Sequence, residues 1–251
     1  MSNAALQVAR TGLDAQNTKM RVIANNLANV NTTGFKRDRA DFETLAYQQI
    51  VAAGANSDSE NKFATGLNLG SGVALQGTSK INTQGTLEQT GNALDMAIEG
   101  AGYFQVQRPD GSTAYTRAGN FSVTAEGTVV TSDGLPLIPA ITVPQGATSV
   151  TVGNDGTVSA TLQGQAEPTQ LGQIELASFM NSAGLQSIGG NLLTETAASG
   201  TPQVGAAGLD PRRVLPICLD LGTNTQRYLD DPLYLGVRHK RPSDEEVGNG
   251  E

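Results

Sequence analysis

A chain of 251 residues is long enough for one or two domains with their own cores, and its net charge of −8 argues against nucleic acid as a partner, because phosphate binding needs a basic surface. Its one cysteine, Cys218, excludes an internal disulfide, and no apolar run approaches the roughly 18 residues that span a bilayer. Thirty glycines, no tryptophan and 16% charged residues are typical of β-rich, turn-dense structure rather than of an all-helical bundle.

Residues 1–34 are predicted to form a long N-terminal helix of the coiled-coil type. Its seam positions alternate in spacing between three and four residues and include one polar member: Leu6, Ala9, Leu13, Gln16, Met20, Ile23, Leu27 and Val30. Such a narrow stripe suits a coiled-coil partner better than the wider apolar face of a helix on its own core. We therefore predict a partner helix, elsewhere in the chain or on a neighbouring subunit. An ordinary amphipathic helix on its own domain is the alternative.

The helix is predicted to end in the Asn-rich turn of residues 29–34, since Asn and Gly tolerate the left-handed conformation that stops a helix. Phe35 then supplies an apolar anchor. The three cations that follow, Lys36, Arg37 and Arg39, have acidic residues between them and are predicted to form a solvated face. This segment therefore predicts an abrupt exit from the helix rather than a binding patch.

Residues 24–36 resemble the N-terminal signature that flagellar rod and hook proteins share, and residues 11–16 resemble the distal rod members of that family. The signature rests on these positions: Asn25, Asn26, Leu27, Asn29, Asn31, Thr32, Gly34 and Phe35. Residues 84–104, 114–119 and 179–181 are also similar to flagellar axial proteins. The resemblance extends almost continuously from about residue 5 to about residue 209.

The resemblance implies a structural subunit of the bacterial flagellar basal body and not an enzyme. Such a subunit would pack helically with copies of itself and with other rod and hook proteins, and would transmit torque. It would need no cofactor, metal, nucleic acid or membrane insertion. We expect its export without a cleaved signal peptide, because the N-terminus lacks a basic start followed by an apolar block. A proximal rod or hook subunit is the alternative within the family.

The middle of the chain predicts two further regions, an extended connecting segment over residues 35–80 and a small antiparallel β-domain of the rod and hook type over residues 81–196. In the second range the hydrophobic period is two, and turn signals such as Pro109-Asp110-Gly111 recur at short intervals. Gly100-Ala101-Gly102 lacks the third glycine of a dinucleotide-binding loop and precedes a strand, which predicts a close turn. We predict no catalytic, cofactor-binding or metal-binding residues.

A change in composition near residue 210 divides the chain. Residues 1–209 contain 26 charged residues, whereas the 42 residues after them contain 14, together with Cys218 and the single histidine, His239. The preceding residues 197–210 are predicted to be an exposed linker. Residues 211–246 resemble an internal stretch of NAD(P)-dependent malic enzymes, and a buried-type strand is predicted at Val214–Leu221.

We predict that the malic-enzyme-like fragment, residues 211–251, replaces the second long helix that the rod resemblance implies. The expected fold is therefore mainly β with a long N-terminal helix and an unrelated, short α/β-like tail, an apparent chimera. An oxidoreductase related to malic enzymes is the competing hypothesis, but so short a fragment cannot bind NAD, a divalent metal and malate together. We expect the fragment to be inactive and to impair assembly of the rod.

Overall fold

The computed structural model describes residues 2–56, 61–165, 167–207, 213–216 and 218–220. One long helix, α1 (Ser2–Ala28), precedes a succession of short strands that pair throughout in antiparallel fashion. The predicted fold class, mainly β with a long N-terminal helix and small antiparallel sheets, is confirmed. Across the part of the chain that the structure describes, no helix combines the length and apolar character needed to cross a membrane.

Helix α1 forms because its 27 residues contain no proline and few β-branched side chains. Its last residue is Ala28, and the residues predicted to form the turn that ends the helix, 29–34, follow directly. Asn29 N–H still donates to the Asn25 carbonyl (3.2 Å), and the chain then turns through Thr32 N–H to the Asn29 carbonyl (3.1 Å). Gly34 completes the reversal in the left-handed region (φ 71°), as the Asn-rich turn predicts.

The segment predicted to be an extended connection contains two antiparallel strand pairs. Strand β1 (Asp38–Thr44) pairs with β4 (Val73–Lys80), and β2 (Tyr47–Val51) pairs with β3 (Leu67–Gly70). The second pair is a hairpin inserted between the strands of the first. Main-chain pairing thus supplies the hydrogen bonds that a structureless connection of this length would have to find elsewhere.

The β-domain that follows is built from strands mostly three to six residues long. They are β5 (Leu87–Gln89), β6 (Met96–Glu99), β7 (Tyr103–Gln107), β8 (Thr113–Thr116), β9 (Phe121–Val123), β10 (Val129–Thr131), β11 (Leu137–Ile138), β12 (Ala147–Val152), β13 (Thr157–Leu162), β14 (Thr169–Gln173), β15 (Glu175–Ser178), β16 (Gln186–Gly189), β17 (Leu192–Thr194) and β18 (Gln203–Ala206). The main sheet has the order β16-β17-β8-β7-β15-β18, with β11 also paired to β7. Strands β12, β13 and β14 form a second sheet, and β9 pairs with β10.

The main sheet separates two apolar clusters because successive side chains of its central strand β7 point to opposite faces. Phe104 and Val106 enter the larger cluster, where Phe104 meets Phe121 edge to face with ring centroids 5.1 Å apart. Tyr103 enters the smaller cluster with Tyr115 on the other face. Burial on both faces makes this sheet the rigid centre of the domain.

The chain after residue 196 departs from the predicted linker and tail. Gln203–Ala206 forms β18 and pairs with β15, inside the segment predicted to be an exposed linker. Within the predicted strand Val214–Leu221, the structure has two shorter strands, β19 (Arg213–Pro216) and β20 (Cys218–Asp220). The remainder of the malic-enzyme-like fragment, with His239, lies outside the described residues.

Candidate assembly surface

The predicted seam of α1 lies largely in solvent. Its four largest side chains on one side remain about two-thirds exposed: Leu6 (67%), Leu13 (66%), Met20 (64%) and Leu27 (63%). Ala9 and Gln16 are exposed as well, and Ile23 is half-buried; Val30, also half-buried, lies beyond the end of α1, in the turn. An apolar stripe left open along more than 20 residues of one helix is a surface that needs a partner. Hereafter the eight seam positions are called the helix seam.

A different face of α1 docks onto the chain's own β1–β4 pair. Half-buried residues recur there at helical spacing, and most of them are small or polar: Thr11, Ala15, Thr18 and the apolar Val22. The Thr11 hydroxyl accepts a hydrogen bond from the N–H of Val73 in β4 (3.4 Å). This docking face leads to Asn26, which is 2% exposed. Hydrogen bonds and the close approach of small side chains therefore contribute to holding the helix on its domain, together with the partial burial of Val22.

Asn26 fastens the end of α1 to the start of β1. Its side-chain Nδ2 donates to the main-chain carbonyl of Asp38 (2.8 Å), and its Oδ1 accepts from the N–H of the same residue (2.9 Å). A primary amide is the side-chain group that can serve a main-chain donor and acceptor together in this way. The second Asn of the signature thus fixes the angle at which the helix leaves the domain.

The remaining Asn and Thr residues of the signature build the turn itself. Asn29 Nδ2 donates to the carbonyl of Asn25 (2.9 Å) and to its side-chain oxygen (3.2 Å). The Thr32 hydroxyl donates to Asn29 Oδ1 (3.2 Å). Asn31 is exposed and Phe35 is half-buried. These bonds join the side chains of the turn to one another and to the last turn of the helix.

Gly34 brings the turn against the β-domain. A Cβ atom at this position would lie 2.5 Å from the N atom of Ala118, and its φ of 71° falls where L side chains are strained. Close by, Asn191 Nδ2 donates to the carbonyl of Thr33 (3.1 Å), with Asn191 itself left-handed at φ 57°. No sequence pattern predicts a role for Asn191, whose contact spans 158 residues.

The predicted solvated face of cations is wrong for its first member. Lys36 is 6% exposed and its Nζ donates to the carbonyl of Thr83 (3.0 Å), because the turn directs it under the domain. Arg39 is exposed and pairs with Asp41 at 2.8 Å. The hydrogen bond from the Ser79 hydroxyl, then the bond from Arg39, hold the pKa of the Asp41 carboxyl below its usual value. The order of basic and acidic residues from Lys36 to Asp41 does not predict which cation is buried.

Arg117 braces the turn predicted at Gly100-Ala101-Gly102. This buried guanidinium donates from Nη2 to the carbonyls of Gly100 (2.7 Å) and Ile98 (3.1 Å). The turn connects β6 to β7, and no dinucleotide-binding helix follows it. Within the described ranges, no group of three or more His, Cys, Asp or Glu side chains could hold a metal ion. The arrangement supports mechanical coupling between the helix exit and the sheet.

Three known protein families match separate regions of the chain, which correspond to the helix, the β-domain and the C-terminal fragment of the sequence analysis. A family described as "Flagella basal body rod protein" matches residues 6–36, which hold all eight positions of the helix seam and the turn. A family described as "Flagellar hook protein FlgE/F/G D1 domain" matches residues 97–160 of the β-domain. A third, "Malic enzyme, N-terminal domain", matches residues 203–249, most of which lie outside the described residues.

Similarity to individual proteins covers most of the chain. The flagellar basal-body rod protein FlgG of Buchnera aphidicola subsp. Acyrthosiphon pisum is 49% identical over 211 residues, which are 84% of this chain and 81% of that protein. FlgG of Caulobacter vibrioides is 48% identical over 81% of this chain and 78% of its own. The flagellar hook protein FlgE of Treponema pallidum is 42% identical, over 48% of this chain and 26% of its own. At 49% identity over 84% of its length to one such protein, the chain belongs to the FlgG family of flagellar basal-body rod proteins.

Proposed function

We propose that this chain is a structural subunit of the bacterial flagellar rod, of the distal type, which assembles helically with copies of itself and with other rod and hook proteins. The observation that carries the proposal is the helix seam, an apolar stripe held out in solvent by a helix that is fastened at one end. A subunit that folded only for itself would bury this stripe. A subunit that builds a shaft offers it to neighbours.

The free energy gained when a partner covers the helix seam is large enough to drive assembly. Full burial of a Leu or Met side chain contributes about 1.5–3 kcal/mol. Because Leu6, Leu13, Met20 and Leu27 are about two-thirds exposed, a partner helix that covers them gains roughly 4–8 kcal/mol per helix. Part of that gain offsets the entropy lost on association. Repetition along a shaft then multiplies a contact that is modest for one pair.

Torque transmission needs a stiff connection between the helix and the β-domain. The two hydrogen bonds between Asn26 and Asp38 and the close approach of Gly34 to Ala118 supply it. The first joins the last turn of α1 to β1, and the second joins the exit turn to the segment after β8. A twist applied to the β-domain is thereby passed to the helix without a flexible hinge.

Two variants with the same new charge test the helix seam as the assembly surface. We expect Leu13→Glu to abolish rods seen by electron microscopy and to fail to restore motility in cells that lack their own distal rod protein. Gln7→Glu, which places a carboxylate on an exposed position outside the helix seam, roughly 120° around the helix from Leu13, should assemble as the unaltered chain does. If the two variants assemble equally, with helix content unchanged by circular dichroism, the helix seam is not the assembly surface.

We also propose that assembly of this chain is impaired. Residues 211–251 hold no heptad stretch that could pair with α1, and residues 203–249 match a malic enzyme domain instead. Rod length at equal protein concentration, compared with a chain that keeps β19 and β20 and carries a relative's second helix after residue 220, measures the effect. Longer rods from the helix-bearing chain are expected, and rods of equal length from the two chains would contradict impairment.

A further inference from the structure

Strand β6 is buried but receives its strand partner from the malic-enzyme-like part of the chain. Met96, Ala97 and Ile98 are almost fully buried, and their antiparallel partners are Pro216, Leu215 and Val214 in β19. No other described strand pairs with β6. An unpaired main chain at this depth would leave polar groups without partners, which is costly. The edge of β6 therefore requires an extended occupant.

One side chain of the occupant enters the core. Val214 is fully buried and belongs to the larger apolar cluster together with Met96 and Ile98. Its N–H faces away from β6 and donates to the carbonyl of Asn154 (3.4 Å), in the turn between β12 and β13. The occupant thus lies in a slot with β6 on one side and the β12–β13 turn on the other. Leu215, which follows, is half-buried.

The slot continues along β5. Cys218, Leu219 and Asp220 of β20 pair antiparallel with Gln89, Glu88 and Leu87. The occupant therefore runs past two short strands in succession, first β6 and then β5. It contacts both through the main chain, over seven residue pairs in all, four on β6 and three on β5.

A network of side chains that does not include the occupant aligns β5 with β6. Asp95 is buried between them; the Thr90 hydroxyl donates to its Oδ2 (2.7 Å) and Asn92 Nδ2 donates to its Oδ1 (2.9 Å). The N–H of Met96 donates to the carbonyl of Gly119 (2.9 Å), on the domain's own side. Pro216, which has no N–H to give, is accordingly tolerated opposite Met96. The slot is thus formed largely by the rod-like part of the chain.

We propose that β5, β6 and the β12–β13 turn form a strand-acceptor slot, which binds an extended segment through its main chain and requires an apolar side chain at the Val214 position. Its occupants in this protein are β19 and β20 of the same chain. Main-chain pairing is common to all sequences, and alternate side chains of a strand point away from the core. A segment that resembles a malic enzyme can therefore complete a rod-type domain. This inference does not depend on the proposed function.

A disulfide in the full-length chain tests occupancy and register together. Cys218 is the only cysteine in the sequence and pairs with Gln89 across the two strands, and the Cα atoms of directly opposed residues in an antiparallel pair lie about 4.5–5.5 Å apart, within the range that a disulfide spans. Gln89→Cys should form an intramolecular disulfide on mild oxidation, seen as loss of both free thiols and as faster migration of the monomer without reductant. Glu88→Cys, which faces Leu219 and the opposite side of the ladder, should not. Equal bridging of both variants, or bridging between two chains, would overturn the proposal.

Two further variants in the Gln89→Cys background test the selection rule. Leu215→Thr should keep the bridge, because Leu215 is half-buried and is not a member of either apolar cluster. Val214→Asp should remove it, because an unpaired carboxylate would have to enter the apolar cluster. Loss of the bridge in Leu215→Thr would show that the slot also selects the side chain at that position and would refute the rule by itself. Retention in Val214→Asp would refute it as well.

Discussion

Asn26→Ala is expected to loosen α1 from the β-domain by an amount that the geometry sets. The substitution removes two hydrogen bonds to Asp38 and leaves a main-chain N–H and carbonyl without their partner. An orphaned polar group costs about 1–3 kcal/mol when buried. Asp38 is half-buried, so the cost of leaving each of these two groups without a partner lies toward the low end of that range. We expect a total loss of about 2–3 kcal/mol, reduced by about 0.5 kcal/mol because Ala favours a helix more than Asn does.

The matched control is the neighbouring substitution Asn25→Ala. Asn25 is exposed and its side chain makes one bond, accepted from Asn29 Nδ2 at 3.2 Å. The same gain in helix propensity applies to both variants, so their difference isolates the two bonds to Asp38. The assay is urea unfolding followed by far-ultraviolet circular dichroism, to which α1 contributes strongly. Asn26→Ala should unfold at a midpoint lower by about 1 M urea. If the two variants agree to within about 0.5 kcal/mol, the account of how the helix is fastened is incorrect.

Two other predictions concern the same end of the domain. Gly34→Ala should lower the free energy of unfolding in urea by about 1 kcal/mol or more beyond the loss in Gly111→Ala. Both glycines are left-handed (φ 71° and 81°), but only at Gly34 would the new Cβ collide with main chain, at Ala118, whereas Gly111 faces open space. Equal losses in the two variants would contradict the close approach. Asp41 should titrate below an ordinary carboxyl, so that its contribution to stability is present above the unfolded pKa and is lost as the pH falls through the lower folded pKa. In Ser79→Ala that pKa should rise towards the ordinary value, measured by NMR titration of the Asp41 carboxyl, and an unchanged titration would show that the Ser79 hydroxyl is not the cause.

Periodicity identified the apolar stripe of α1 but not the face that docks. The helix seam is visible in the spacing of Leu6, Leu13 and Met20, and the structure places these side chains in solvent. The docking face is made mostly of small and polar residues such as Thr11, which a search for hydrophobic periodicity passes over. It docks through a hydrogen bond to β4 and through the paired bonds of Asn26. Those contacts depend on where a distant strand returns, and no local pattern encodes that.

Lys36 shows the same limit on a smaller scale. Its neighbours in the sequence are alternately basic and acidic, and that alternation favours a solvated face. The turn around Gly34 rotates the chain so that Lys36 reaches the carbonyl of Thr83, 47 residues away, while Arg39 stays outside. The left-handed glycine was predictable from its neighbours, but the consequence for the following side chains was not. Side-chain burial follows from the direction of the exit, which the close approach to Ala118 determines.

The change in composition near residue 210 is real in the sequence but does not coincide with a structural boundary. Charge density and similarity to known families both change close to that point. Strands β19 and β20 nevertheless lie beyond it and pair with β6 and β5, and Val214 lies in the domain's larger apolar cluster. Composition is a property of side chains, whereas a strand is accepted mainly by its main chain, which every sequence offers alike. A domain whose last strand pairs in this way can therefore tolerate a foreign segment at that position, provided that one apolar residue arrives in register with Ile98.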